Sequence, residues 1–186
     1  MQKIFRIKNL QAGFTLIETL AAVSILMIAV AGPLTLANNS LRSSMTAKSE
    51  LVASYLAQDA VEYLKVMRDA SISKDGWIDR NLSSCDTGSE CGIDTTVVIS
   101  IDGSGNITSS GLQPACSSTN NNCELSFHGD TGFYNYVPAG AELSGFTRKL
   151  AAAVTASEVK VEVMVEWKQG RLNRSVILRS SLFNLK

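Results

Sequence analysis

The apolar and polar positions divide the chain into three stretches. Residues 14–37 read FTLIETLAAVSILMIAVAGPLTLA, an apolar run whose only charge is Glu18. As a helix it would span about 36 Å, longer than the ~30 Å hydrocarbon core of a bilayer. Over residues 38–70 the pattern turns amphipathic. Leu41, Met45, Val52, Leu56, Ala60, Leu64 and Met67 recur near a period of 3.6, Leu51 and Tyr55 widen the stripe, and Lys48 interrupts it and is expected to snorkel. Glu62 precedes Lys65 by a helical spacing, and Ser71, Ser73, Lys74, Asp75 and Gly76 close the run. One helix of about 57 residues, roughly 85 Å long, is predicted. Its first half is apolar all round; its second half has one apolar face that must pack on something.

The carboxyl-terminal stretch has the other periodicity. Val159, Val161, Val163, Val165 and Trp167 alternate with Lys160, Glu162, Met164, Glu166 and Lys168, so a strand with one core face is predicted. Residues 169–173, with Gly170, form a turn; residues 174–185 return as a strand, and residues 146–155 supply the strand before, giving an antiparallel meander. The valine stripe is expected to cover the amphipathic half of the helix. Between helix and meander, residues 71–144 are rich in Ser, Thr, Asn and Gly. Strands are predicted at residues 95–101 (TTVVISI) and 133–137, with a turn at residues 102–106. The organisation is thus 1–13 leader, 14–37 apolar helix, 38–70 amphipathic helix, 71–144 loop-rich region and 145–186 meander.

Charge adds a direction. Basic and acidic residues balance at seventeen each, but residues 1–13 carry Lys3, Arg6 and Lys8 and no acid. That asymmetry keeps the amino terminus cytoplasmic and puts the body outside. No basic stretch in the body indicates nucleic acid as a partner. The four cysteines, Cys85, Cys91, Cys116 and Cys123, form two close pairs in polar surroundings. Their intervals exceed the two to four residues usual at zinc sites, so an exported domain reads as disulfide-bonded. Four cysteines allow three connectivities. Local pairing, 85 with 91 and 116 with 123, is favoured, but the sequence does not choose among them.

Glu18 is the residue that composition does not explain. A plain membrane anchor accounts for the length of the run and its flanking charges but not for an acid inside it. A secretory signal peptide cleaved after Ala31, at Ala29-Val30-Ala31, leaves it equally unexplained. The third reading takes residues 13–18, GFTLIE, as a processing motif. With the basic leader and the long apolar helix, these residues resemble the prepilin motif of type IV pilins and type II secretion pseudopilins. The resemblance implies an α+β type IV pilin-like fold, a long helix packed on a carboxyl-terminal antiparallel sheet with disulfide-containing loops. It implies cleavage between Gly13 and Phe14 by a prepilin peptidase, which also methylates the new Phe14 amine. It further implies that Glu18 of one subunit neutralises the Phe14 amine of its neighbour as helices stack into a filament, and that Gly32-Pro33 marks a helix break by local melting inside the filament, a tolerated membrane-helix kink being the other reading. Residues 57–62 (AQDAVE), followed by Arg68-Asp69, also resemble the helix of PilV-like minor pilins, the type IV pilus modification proteins.

No catalytic set is visible. His128 is the one histidine, in a polar loop. Asp102, Ser104 and Asn106 alternate as in a calcium loop, but Ile107 stands where an EF-hand needs glycine and the distal acid is missing, so a β-turn is the reading. No cofactor or metal is expected. The sequence reads as a structural subunit, a minor pilin, with a type II secretion pseudopilin of the I type as the alternative. Its expected partners are other pilin subunits, prepilin peptidase, an inner-membrane assembly platform and, before assembly, membrane lipid. After assembly it would lie in an extracytoplasmic filament.

Overall fold

The structure, a computed structural model, describes residues 13–71, 82, 85, 89–113, 123–136, 142–155 and 158–183. It is α+β. One helix, α1 (Leu16–Ala70), is followed by β1 (Gly92–Ile93), β2 (Ser100–Ile101), β3 (Ile107–Ser109), β4 (Leu112–Gln113), β5 (Glu124–Phe127), β6 (Tyr134–Asn135), β7 (Glu142–Val154), β8 (Glu158–Gln169) and β9 (Leu172–Phe183). The chain divides into two compact units after Met45.

In the first unit every residue from 13 to 45 is exposed. Among the described residues one helix, α1, is long and apolar enough to cross a membrane. Pro33 lacks an N–H and leaves the Ala29 carbonyl without its helical donor. Even so, α1 is continuous through Gly32 and Pro33.

In the second unit the helix meets a five-stranded antiparallel sheet of order β6-β5-β7-β8-β9. The buried face is Ala53, Leu56, Ala57, Ala60, Val61, Tyr63, Leu64 and Met67. It forms one core with Leu125, Leu150, Ala152, Val159, Val161, Val163, Val165, Trp167 and Leu182. The predicted valine stripe is therefore core. The helix stripe needs correction: Leu41, Met45, Leu51 and Tyr55 are exposed. Residues 53, 56, 57, 60, 61, 64 and 67 follow the i, i+3, i+4 progression, and three of them are alanines. Small side chains let the sheet approach the helix, and a stripe traced through large residues misses them.

The meander is present and longer than predicted. β7 pairs with β8 from Phe146↔Trp167 to Val154↔Val159, and β8 with β9 from Glu158↔Phe183 to Gln169↔Leu172. A two-residue turn joins β8 to β9, with Gly170 at φ 62°, a left-handed conformation that glycine takes without steric cost. The sequence reading missed β5, four residues long, which inserts beside β7 and carries β6 on its other edge. Of the strand predicted at 133–137, Tyr134–Asn135 is observed, and Val137 lies outside the described residues.

The strand predicted at 95–101 is also corrected: only Ser100–Ile101 is strand. The buried Asp94 accepts bonds from the Thr96 N–H at 2.9 Å and the Thr96 hydroxyl at 2.6 Å, folding the chain into a local turn. The Val97 carbonyl is taken by Tyr63 on the helix. These bonds use groups that a strand partner would need. At residues 102–106 the expected turn forms, with Asp102 Oδ1 accepting from the N–H groups of Ser104 and Asn106.

Gly111 sits where the backbone passes closest. A Cβ there would lie 1.7 Å from the Asp94 carbonyl oxygen, whose own N–H donates to the Gly111 carbonyl at 2.7 Å. Gly111→Ala must push two backbone segments apart. It is expected to cost about 1–3 kcal/mol, measured as a lowered unfolding midpoint of the full chain.

Candidate functional site

Two constellations carry chemistry, one in each unit. In the first unit, Gly13, Phe14 and Thr15 precede the helix. Thr15 is its N-cap: the Thr15 hydroxyl accepts from the Glu18 N–H at 3.4 Å, and the Thr15 carbonyl accepts from the Thr19 N–H at 3.2 Å. Thr15-Leu16-Ile17-Glu18 therefore has the form of a capping box, Thr at the cap and Glu three residues on. That signal was present in the sequence and gives Glu18 a local role, since a carboxylate in the first turn offsets the positive end of the helix dipole. Phe14 is 79% exposed, and Glu18 has no ion pair among the described residues. The leader residues Lys3, Arg6 and Lys8 lie outside the described residues.

In the second unit, a buried polar network joins the helix to the loops and the sheet. Arg148 of β7 is fully buried. Its guanidinium donates to the Ile93 carbonyl at 2.6 Å, the Leu56 carbonyl at 3.2 Å and Asp59 Oδ2 at 3.3 Å. Asp59 also accepts from the Thr95 hydroxyl at 2.5 Å. The Tyr136 hydroxyl donates to the Arg148 carbonyl at 2.6 Å, and the Tyr136 N–H donates to Asp94 Oδ2 at 3.2 Å. Burial pushes the Tyr136 phenol up, and the nearby Arg148 charge opposes this. The sequence reading missed Arg148. Its signal was an arginine on the inward register of β7, between Phe146 and Leu150.

Tyr63 closes the same layer from the helix. Its hydroxyl donates to the Val97 carbonyl and accepts from the Gly111 N–H, each at 2.8 Å. Burial raises its pKa above the ordinary 10.0. A raised pKa means the folded state favours the neutral phenol. This contribution is complete below the unfolded value and is lost as pH rises through the folded one. Tyr63→Phe is expected to cost about 1–3 kcal/mol and to flatten the alkaline part of a stability–pH curve taken by thermal unfolding.

Cys85 and Cys91 are disulfide-bonded, six residues apart. Cys123 is disulfide-bonded too; Cys116, its expected partner, lies outside the described residues. Cys91 and Cys123 flank the arginine: the Cys123 carbonyl accepts from the Arg148 N–H, and the Cys91 carbonyl from the Leu150 N–H. The processing residues and the cysteines thus belong to different units.

The amino-terminal geometry is an exposed glycine–aromatic junction, a capped helix start and an unbroken apolar helix. Residues 8–32 match the prokaryotic N-terminal methylation motif. The matched stretch covers Gly13, Phe14, Glu18 and Gly32, a small part of the chain, and supports a type IV pilin-like or pseudopilin-like protein. It implies processing by prepilin peptidase and assembly with other pilins. The long helix, the antiparallel sheets and the Cys85–Cys91 disulfide fit an α+β pilin-like fold. No curated protein matches the chain, and no solved structure does.

Proposed function

We propose that this chain is a minor subunit of a type IV pilus-like filament, cleaved between Gly13 and Phe14, methylated on Phe14 and assembled through α1. The observation that carries the reading is the methylation motif at the start of a helix whose surface is exposed through Met45. An apolar helix with no intramolecular partner needs lipid or other helices around it. Cleavage at Gly13 creates a cationic amine at the positive end of the helix dipole, where a cation is disfavoured. Glu18 is the nearest described acid, and a neighbouring subunit's Glu18 can serve that amine when helices stack. Gly32 and Pro33, continuous here, weaken the helix by one hydrogen bond and are where it would loosen during packing. The minor-pilin assignment, within the PilV-like group, rests on the resemblance of residues 57–62 and 68–69. Asp59 in that stretch holds Arg148, so the resemblance covers residues with a structural task.

Mass spectrometry of the mature amino terminus tests the reading. N-methyl-Phe14 is the expected result. A mature terminus at Gly32 would mean ordinary secretion, and an intact Met1 would mean an unprocessed anchor.

A further inference from the structure

The five-stranded sheet has two unequal edges. Its β6 edge is two residues long. The other edge, β9, runs 12 residues from Leu172 to Phe183. Among the described residues β9 pairs only with β8, so about half of its peptide groups point away from the sheet. Such an edge is a template for another strand, and folded proteins blunt it with proline, a bulge, charge or short length. β9 contains no proline, and its register with β8 runs without a bulge from Glu158↔Phe183 to Gln169↔Leu172. Its two charges are Arg174 and Arg179, and Glu162 of β8 holds Arg179 at 2.6 Å. The middle of the strand is apolar on both faces. Ile177 is 43% exposed, and Val176 and Leu178, at alternate positions, are half-buried against the core. An added strand with apolar side chains would complete that cover.

Charge says which strand fits. Arg174 and Arg171, in the turn before β9, are exposed and make no ion pair among the described residues. Acids on the elements around them are placed otherwise. Lys149 holds Glu166 at 2.9 Å, Glu124 shares an outer-face hollow with Lys168, and Glu50 of α1 pairs with neither arginine. Opposite charges directly across a strand pair stabilise it, and like charges there destabilise it. From residue 167 to the last residue the chain contains no Asp or Glu. A second copy's β9 therefore brings no acid to face Arg174, and its β6 is too short to pair along β9.

We propose that β9 is an acceptor edge for an extended segment of a different protein, a strand with alternating apolar side chains and carboxylates at the end beside Arg171 and Arg174. Main-chain hydrogen bonds would supply the affinity and the side chains the selectivity. The proposal does not depend on how the amino terminus is processed.

The test uses the full chain in a zwitterionic detergent. The probe is the end-blocked peptide EETVTVTVTS. Its controls are the same peptide with lysines for the glutamates, and the same peptide N-methylated at every valine and threonine. Fluorescence anisotropy measures binding, and amide hydrogen exchange over residues 172–183 locates it. The glutamate peptide is expected to bind and to slow that exchange. The lysine peptide should bind about tenfold more weakly, and the N-methylated one not at all. Arg171→Glu combined with Arg174→Glu should reverse the preference between the first two peptides. Thermal unfolding should be unchanged, since both arginines are exposed. Failure of the glutamate peptide to bind overturns the proposal. So does binding that leaves β9 exchange unaltered, or a preference that the double variant does not reverse. β9 amides as slow as those of β8 in the chain alone would overturn it too, since a second copy or the chain itself would then cover the edge. A thymidine oligonucleotide that binds more tightly and displaces the peptide would likewise replace this reading with a phosphate-binding patch.

Discussion

On the proposed function, Glu18→Leu is expected to leave cleavage at Gly13 intact and to remove the subunit from assembled filaments. The effect is large because of where the charges end up. A charged group within hydrocarbon costs a few kcal/mol or more unless paired. Removing one member of a buried pair generally costs about 3–5 kcal/mol, roughly two to three and a half orders of magnitude in an equilibrium. The local role of Glu18 at the helix start is worth much less, since a first-turn carboxylate typically contributes ~0.3–1 kcal/mol. Glu18→Gln separates the two. It keeps the length and hydrogen-bonding capacity of the side chain and loses only the charge. Shearing filaments from cells and blotting for this subunit gives the readout. Wild-type recovery of the glutamine variant would sink the pairing role and leave only the cap.

Arg148→Met is expected to destabilise the second unit by about 3–5 kcal/mol. Methionine fills much of the same space, so the loss lies in the donors. The Ile93 carbonyl, 2.6 Å from the guanidinium, and the Leu56 carbonyl would both lose a charge-assisted bond in a site closed to water. Asp59→Asn should cost far less, because the Asp59 side chain is 55% exposed and water can replace what it loses. Thermal unfolding of the full chain in detergent, followed by near-ultraviolet circular dichroism, compares the two. Equal effects from both substitutions would mean that the ion pair, and not the three-way clamp, holds these elements together.

Much of this fold was legible because periodicity reports burial directly. Alternation from Val159 to Trp167 can satisfy only a strand with one covered face, and those residues are in the core. The apolar run from residue 14, with Glu18 its one charge, reads as a helix that needs an apolar environment. The amphipathic half was read less well, because its contact face is built on Ala53, Ala57 and Ala60, whose small side chains carry little weight in a pattern of large apolar residues. Residues 95–98 looked like strand by composition. The decision there fell to Asp94, whose carboxylate folds the following residues into a turn. β5 was invisible because four residues after a cysteine show too little alternation to stand out.

The candidate sites divide the same way. Gly13, Phe14 and Glu18 lie within one six-residue stretch, so the motif match at residues 8–32 was legible in the order of residues alone. The same order held the capping signal at Thr15, which the sequence reading passed over, and showed that a valine strand would need a cover. Only the tertiary structure decided what Arg148 and Asp59 do, or that β9 forms an edge of the sheet. Arg148 and Asp59 lie 89 positions apart, and their meeting depends on how the sheet seats on the helix. Local chemistry is written in neighbouring residues; contacts made across the core exist only once the chain has closed around it.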